Sequence, residues 1–256
     1  MHPVLRRVLM ARGIRDASEL DLSLGRMARP ETLSGLQGAA KMLARAVRED
    51  RSILVVGDFD ADGATGTALA LRALRSMGAR RVDFRVPNRF EFGYGLTPGL
   101  VATLRETPPD LLMTVDSGIA CIEGVRQARA LGAEVVVTDH HLPGEALPDA
   151  SAIVNPNLPG DDFPSKALAG VGVVFYLMVA VRSRLRDAGW FSGARREPRL
   201  ADLLDLVALG TIADVVPLDR NNRVLVQQGL ARMRAGRACE GLLALLRVSG
   251  RDYRRV

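Results

Sequence analysis

Three short apolar runs each stop at an aspartate, and helical segments lie between them. The runs are SILVVG (52–57) ahead of Asp58, LLMTV (111–115) ahead of Asp116 and EVVVT (134–138) ahead of Asp139. VDFRV (82–86) reads as a further strand. ATGTALALRALRSMG and CIEGVRQARALG close at Gly78 and Gly132, the residue type that commonly ends a helix. Strands that are apolar throughout belong in a sheet covered on both faces. The predicted fold is therefore α/β: a doubly wound, mainly parallel sheet with helices on both faces and a helical C-terminal part. Ligand sites of such sheets lie beyond the carboxyl ends of the strands, so the three aspartates are expected to share one crevice.

No repeat or Pro/Ser-rich linker divides the 256 residues, and 48% hydrophobic content suffices for a substantial core. Residues 1–50 read as an N-terminal arm plus a helix packed on the core, and 51–256 as the main domain. Leu33, Leu36, Ala40, Leu43 and Val47 recur at helical spacing behind a Thr32 cap. The longest apolar run, Ala167 to Val181, is fifteen residues, short of the ~18 that a membrane span needs, and reads as a buried helix. MHPVLRRVLMARG interrupts its apolar residues with arginines and lacks a cleavage site, so the expectation is a cytoplasmic protein with no membrane partner. Cys121 and Cys239 support neither a disulfide framework nor a thiolate zinc site and read as packing residues. The net charge of +6 is compatible with a nucleic-acid partner. It does not establish one, because the arginines are dispersed and the clusters at 182–186 and 195–199 read more readily as solvated helix face or loop than as a phosphate-contacting patch.

The chemistry concentrates at the strand ends. GDFDADG sets Asp58, Asp60 and Asp62 at alternating positions after the first run, and TDHH sets Asp139, His140 and His141 after the third. The only other histidine is His2. Unpaired carboxylates this close repel and are costly to bury, and divalent cations offset both penalties. Carboxylates with imidazole and no thiolate suit Mn²⁺ or Mg²⁺, the imidazole favouring manganese, with zinc left open. The aspartate run matches the first half of an EF-hand loop, but Leu69 stands where a bidentate glutamate is required. GATGT lacks a P-loop lysine; Gly63 and Gly66 read as turn and helix-packing residues. In PNRFEFGYGL, Arg89 is the candidate phosphate contact, Asn88 either shares it or shapes the turn, and Phe90, Phe92 and Tyr94 are either core or base-stacking rings.

GDFDADGATGT, PNRFEFGYGL, TVDSGI, VVTDHH and GTIADVVPL, in that order, closely resemble the motifs of the RecJ family of single-stranded-DNA-specific 5′→3′ exonucleases, within the DHH phosphoesterase superfamily. The match spans roughly 52–230. The resemblance implies a two-metal site with Asp58, Asp60, Asp116, His140 and Asp214 as ligands. It also implies that His141 faces the scissile phosphate and that Asp62 and Asp139 orient ligands and turns. Related phosphatases carry a further metal-binding histidine where this chain has Leu54. Two divalent ions, Mn²⁺ preferred and Mg²⁺ the alternative, would cancel the charge of the four aspartate ligands and let the site accept an anionic phosphodiester. The expected activity is exonuclease hydrolysis of single-stranded DNA in repair and recombination, with single-strand-binding protein and a repair helicase as partners. The family's second substrate-binding domain and oligonucleotide-binding fold do not occur before Val256, so the chain reads as a catalytic core. The alternatives are a phosphodiesterase for short oligonucleotides or cyclic dinucleotides, and a non-catalytic scaffold.

Overall fold

A computed structural model describes residues 1–256. In chain order the elements are α1 (Pro3–Ala11), α2 (Leu36–Arg48), β1 (Ile53–Gly57), α3 (Ala61–Ser76), β2 (Val82–Arg85), α4 (Arg89–Phe92), α5 (Pro98–Ala102), β3 (Leu111–Val115), α6 (Ile122–Ala130), β4 (Glu134–Thr138), β5 (Ala152–Val154), α7 (Gly170–Asp187), α8 (Leu204–Ala213), α9 (Arg220–Arg234) and α10 (Glu240–Val248). The five strands form one parallel sheet in the order β2-β1-β3-β4-β5. The expected strands are all present. β5, only three residues long, was not anticipated.

Side chains alternate across the sheet, and both faces are apolar because both are covered. Ile53, Val55, Leu111, Met113, Val115 and Val136 pack into the larger core with α2, α3 and α7. Leu54, Val56, Leu112, Val135 and Val137 face the smaller core under α5 and α6. The apolar run after Ala167 becomes α7, buried along most of its length between the sheet, α2, α3 and α8. No helix is long and apolar enough to cross a membrane.

Two helix starts differ from expectation. α2 begins at Leu36 rather than behind Thr32, whose hydroxyl instead donates to the Arg29 carbonyl within a 3₁₀ turn. The helix waits for Gly35, which has φ +72° and lies so close to β5 that a Cβ there would sit 1.9 Å from the Ile153 carbonyl oxygen. α3 begins at Ala61 rather than Ala64, so Asp62 and Gly63 belong to its first turn and Gly63 is no loop residue.

At the amino edge of the sheet, Glu134 accepts from Arg45 Nη2 at 2.5 and 2.6 Å and also pairs with Arg51. Burial alone would raise the Glu134 pKa, but the two guanidiniums outweigh it and hold the carboxyl below its ordinary 4.5. A depressed folded pKa gives stability that is complete above the unfolded value and is lost as pH falls through the folded one. Thermal melts of the wild type and Glu134→Gln are therefore expected to differ at pH 7 and to converge progressively as the pH falls below 4.5. A gap that does not narrow in acid would overturn this assignment.

Candidate metal centre

The sheet presents its acids by extending its ladder one step past each strand. Asp58 N donates to the Val115 carbonyl (3.3 Å), Asp116 N to Thr138 (3.1 Å) and Asp139 N to Val154 (3.1 Å). β1 and β3 flank the point where strand order reverses, the position at which open parallel sheets bind ligands. Asp116 is buried and adopts φ +59°, a left-handed conformation that costs a non-glycine residue about 1–2 kcal/mol. That turn at the strand end aims its carboxylate at the neighbouring imidazole: His140 Nε2 lies 3.0 Å from Asp116 Oδ1, 3.6 Å from Asp214 Oδ2 and 3.9 Å from Asp62 Oδ2. Asp214, at the C-terminal end of α8, arrives in the same cleft because α8 packs on α3 through Gly210, where a Cβ would sit 2.3 Å from Thr65 Oγ1.

The nearby acids and histidines have separate tasks. Asp60 accepts from Gly63 N (2.9 Å) as the N-cap of α3 and keeps its other oxygen free of that bond. Asp62 is fully committed: Oδ2 accepts from Gly170 N (2.6 Å) and Oδ1 from Val171 N (2.9 Å), so it caps α7 from across the cleft. Gly170 must be a glycine, since a Cβ there would stand 2.7 Å from Asp116 Oδ1. Asp139 accepts through Oδ2 from Ile119 N (2.9 Å), and through Oδ1 from His140 N (2.7 Å), from His141 N and from the His141 ring at Nδ1 (2.7 Å). His141 Nε2 is left free.

Electrostatics divides these groups. Burial, reinforced by neighbouring carboxylates, pushes Asp62 up to about 7; burial likewise raises Asp58 and Asp214 and takes Asp116 up to about 6 despite contact with His140. Asp139 is equally buried, yet His141 and the Ile119 amide hold it below the ordinary carboxylate range. In return the Asp139 hydrogen bond raises His141 to about 9. Burial would lower His140, but Asp116, Asp62 and Asp214 outweigh it and raise the pKa.

A divalent cation fits these residues. Four buried ligand atoms, Asp58 Oδ1, Asp116 Oδ1, His140 Nε2 and Asp214 Oδ2, make no hydrogen bond; the 3.0 Å approach of His140 to Asp116 lacks hydrogen-bond alignment. A buried polar atom without a hydrogen bond is costly; here His140 Nε2 faces Asp116 Oδ1 and Asp214 Oδ2, and Asp58 lies beside Asp116. Ligand atoms of Asp58, Asp60 and Asp116 gather within 4.8 Å, as do those of Asp62, His140 and Asp214 and those of Asp116, His140 and His141. Leu54 packs on the other side of the sheet and contributes nothing to the cleft.

On the substrate side, the Arg89 guanidinium lies 3.6 Å over the ring of Phe59, which falls between Asp58 and Asp60 in sequence. Asn88 Oδ1 accepts from Phe90 N (3.1 Å) and so shapes the start of α4, leaving only its amide NH₂ for a ligand. Phe92 packs into the smaller core, whereas Phe90 is 99% exposed. Tyr94 is not a free ring: its hydroxyl donates to the Asp116 carbonyl (3.0 Å) and its ring forms a T-shaped pair with His141, 6.2 Å between ring centroids.

Sequence reasoning missed Asn155 and Asn157. Asn155 Nδ2 donates to the His141 carbonyl (2.9 Å) and Asn157 Nδ2 to the His140 carbonyl (2.6 Å), so the loop that Asp139 holds by its amides is held here by its carbonyls. Lys166 clamps the same turn through Pro156 O (2.7 Å) and Asp161. The signal was the NPN spelling directly after β5, a strand too short to be recognised.

The chain is 55% identical over 255 residues to the single-stranded-DNA-specific exonuclease RecJ of Escherichia coli, a match covering 99% of this chain and 44% of that protein. It thus spans less than half the length of that curated relative. The crystal structure of RecJ in complex with Mn²⁺ from Thermus thermophilus superposes with a TM-score of 0.76 at 37% identity, covering 96% of this chain and 33% of that one. The corresponding Mg²⁺ complex gives 0.64 at 33% identity over 96% and 30%. The DHH family, N-terminal domain, matches residues 52–211, and with its aspartates and DHH histidines converging at the strand ends, the chain belongs to the DHH family.

Proposed function

We propose that residues 51–256 form the catalytic core of a metal-dependent nuclease that hydrolyses single-stranded DNA from its 5′ end. The observation that carries this reading is the set of four buried ligand atoms without a hydrogen bond, on Asp58, Asp116, His140 and Asp214, which cluster around Asp116 and His140 in one cleft. Asp58, Asp60, Asp116, His140 and Asp214 would hold two divalent ions, with Mn²⁺ preferred; relatives with matching folds bind Mn²⁺ and Mg²⁺. Bound there, such ions supply Lewis-acid stabilisation of phosphoryl oxygens and a more acidic water. Asp62 and Asp139 orient α7 and the histidine loop. His141, anchored by Asp139, turns its free Nε2 to the phosphodiester as a hydrogen-bond donor. Arg89, steadied on Phe59, pairs with a substrate phosphate, and Phe90 offers an exposed face to a base. Single-strand-binding protein and a repair helicase as partners, and a cytoplasmic location, follow from the resemblance to RecJ and from the substrate.

The test uses single strands labelled at either end, digested with Mn²⁺ and with Mn²⁺ plus a chelator. Release of 5′-terminal nucleotides that stops on chelation is the expected result. Cleavage that survives exhaustive chelation, or release from the 3′ end, would overturn it. Arg89→Ala is expected to raise KM for the strand severalfold with Mn²⁺ binding unchanged, as measured by calorimetry.

A further inference from the structure

We propose that Tyr94 is a positioning residue for the metal ligands: its hydroxyl holds the Asp116 backbone in the left-handed conformation that aims the Asp116 carboxylate at His140. This inference rests on the metal-centre reading above. Only three non-glycine residues of the chain have a positive φ, and Asp116 is the buried one among them; Asp50 and Val215 are not buried. A strained backbone persists only where its surroundings over-determine it.

Each backbone and side-chain group of Asp116 has an identifiable restraint. Its N–H is tied to the Thr138 carbonyl, which continues the ladder. Its carboxylate lies against Gly170, with no room for a Cβ between them. Its carbonyl takes one hydrogen bond in the protein, and the donor is the Tyr94 hydroxyl at 3.0 Å. Without that bond the left-handed turn would expose a buried acceptor with no partner, and an extended Asp116 would become the better solution. The carboxylate would then swing out of the position it shares with His140. The Tyr94 and His141 rings also form a T-shaped pair, at an interplanar angle of 87°. One side chain from the segment that carries Arg89 and Phe90 thus holds a proposed metal ligand and stands against the histidine proposed to face the phosphodiester. A base-stacking platform would need its ring face rather than its hydroxyl, so the two roles predict different variants to fail.

The experiment titrates Mn²⁺ into metal-free wild type, Tyr94→Phe and Tyr94→Leu by calorimetry, with circular dichroism to check the fold. Tyr94→Phe removes only the hydroxyl and is expected to weaken Mn²⁺ binding about 10–100-fold, as loss of a partner that orients a metal ligand does. Tyr94→Leu should match it. Hydrolysis by both variants should fall at limiting Mn²⁺ and recover in excess Mn²⁺, with KM for the strand unchanged in Tyr94→Phe. Wild-type Mn²⁺ affinity in Tyr94→Phe, with a raised KM confined to Tyr94→Leu, would overturn the inference and leave the metal-centre reading standing. A wild type that binds no Mn²⁺ would overturn both.

Discussion

Asp116→Ala and His140→Ala are each expected to abolish nearly all metal-dependent hydrolysis, whereas Asp139→Asn should lose about 10–100-fold. The difference follows from what each side chain touches. Asp116 and His140 each belong to two of the three ligand groupings, so either truncation removes an atom from both. Asp139 touches the site through others: both of its oxygens receive N–H donors from Ile119 and from the two histidines. An asparagine keeps one acceptor and turns an NH₂ against a donor, which loosens the histidine loop without removing a ligand atom. The check is cleavage of labelled single strands across a Mn²⁺ titration. Equal and mild losses in all three variants would refute the division of roles.

A single methyl group at Gly170 should be nearly as damaging. The added Cβ would approach Asp116 Oδ1, Cβ and Cγ at 2.7, 2.8 and 2.9 Å, closer than such atoms pack. Either Asp116 or the start of α7 has to move, and a displacement near 1 Å at a reacting centre costs on the order of 10²-fold in rate. Alanine is the better helix former by about 1 kcal/mol, which would argue for a benign change. The clash decides, because helix propensity does not move a carboxylate and steric overlap does. Gly38→Ala is the control. Gly38 lies in α2 with nothing within 4 Å of its would-be Cβ, so that variant should melt at the same temperature or higher and keep full Mn²⁺ affinity. Mn²⁺ titration of both variants separates the effects, and unchanged affinity in Gly170→Ala would show that the contact is soft.

The sheet and its acids were legible because two signals coincide in the amino-acid order: continuous apolar runs at strand length, and a carboxylate at the end of each. Asp214 was singled out mainly through resemblance, since an aspartate after an apolar helix is usually a cap; the structure brings it to 3.6 Å from His140. Strand order was not legible, because nothing local distinguishes a neighbour from a next-but-one strand. β5 escaped notice at three residues, and with it Asn155 and Asn157, which work by donating to backbone carbonyls and have no motif chemistry of their own. The Thr32 cap failed for a tertiary reason, the close passage of Gly35 along β5. The neighbours of Tyr94 in sequence leave core packing and base stacking equally open, because its hydroxyl partner lies 22 positions away.

The level strand ends also determine which changes of chain length such a protein tolerates through descent. Gly57, Val115 and Thr138 sit in one row across β1, β3 and β4, and the aspartates follow in the next position. Losing or gaining one residue inside any of these strands would turn its side chains to the opposite face and move its aspartate out of the row. The exposed stretch 142–147 between β4 and β5 carries no such constraint, and length variation is expected to accumulate there. Spacing within the strands is thus expected to be under as tight a constraint as the acids themselves, with diversity entering through the connections.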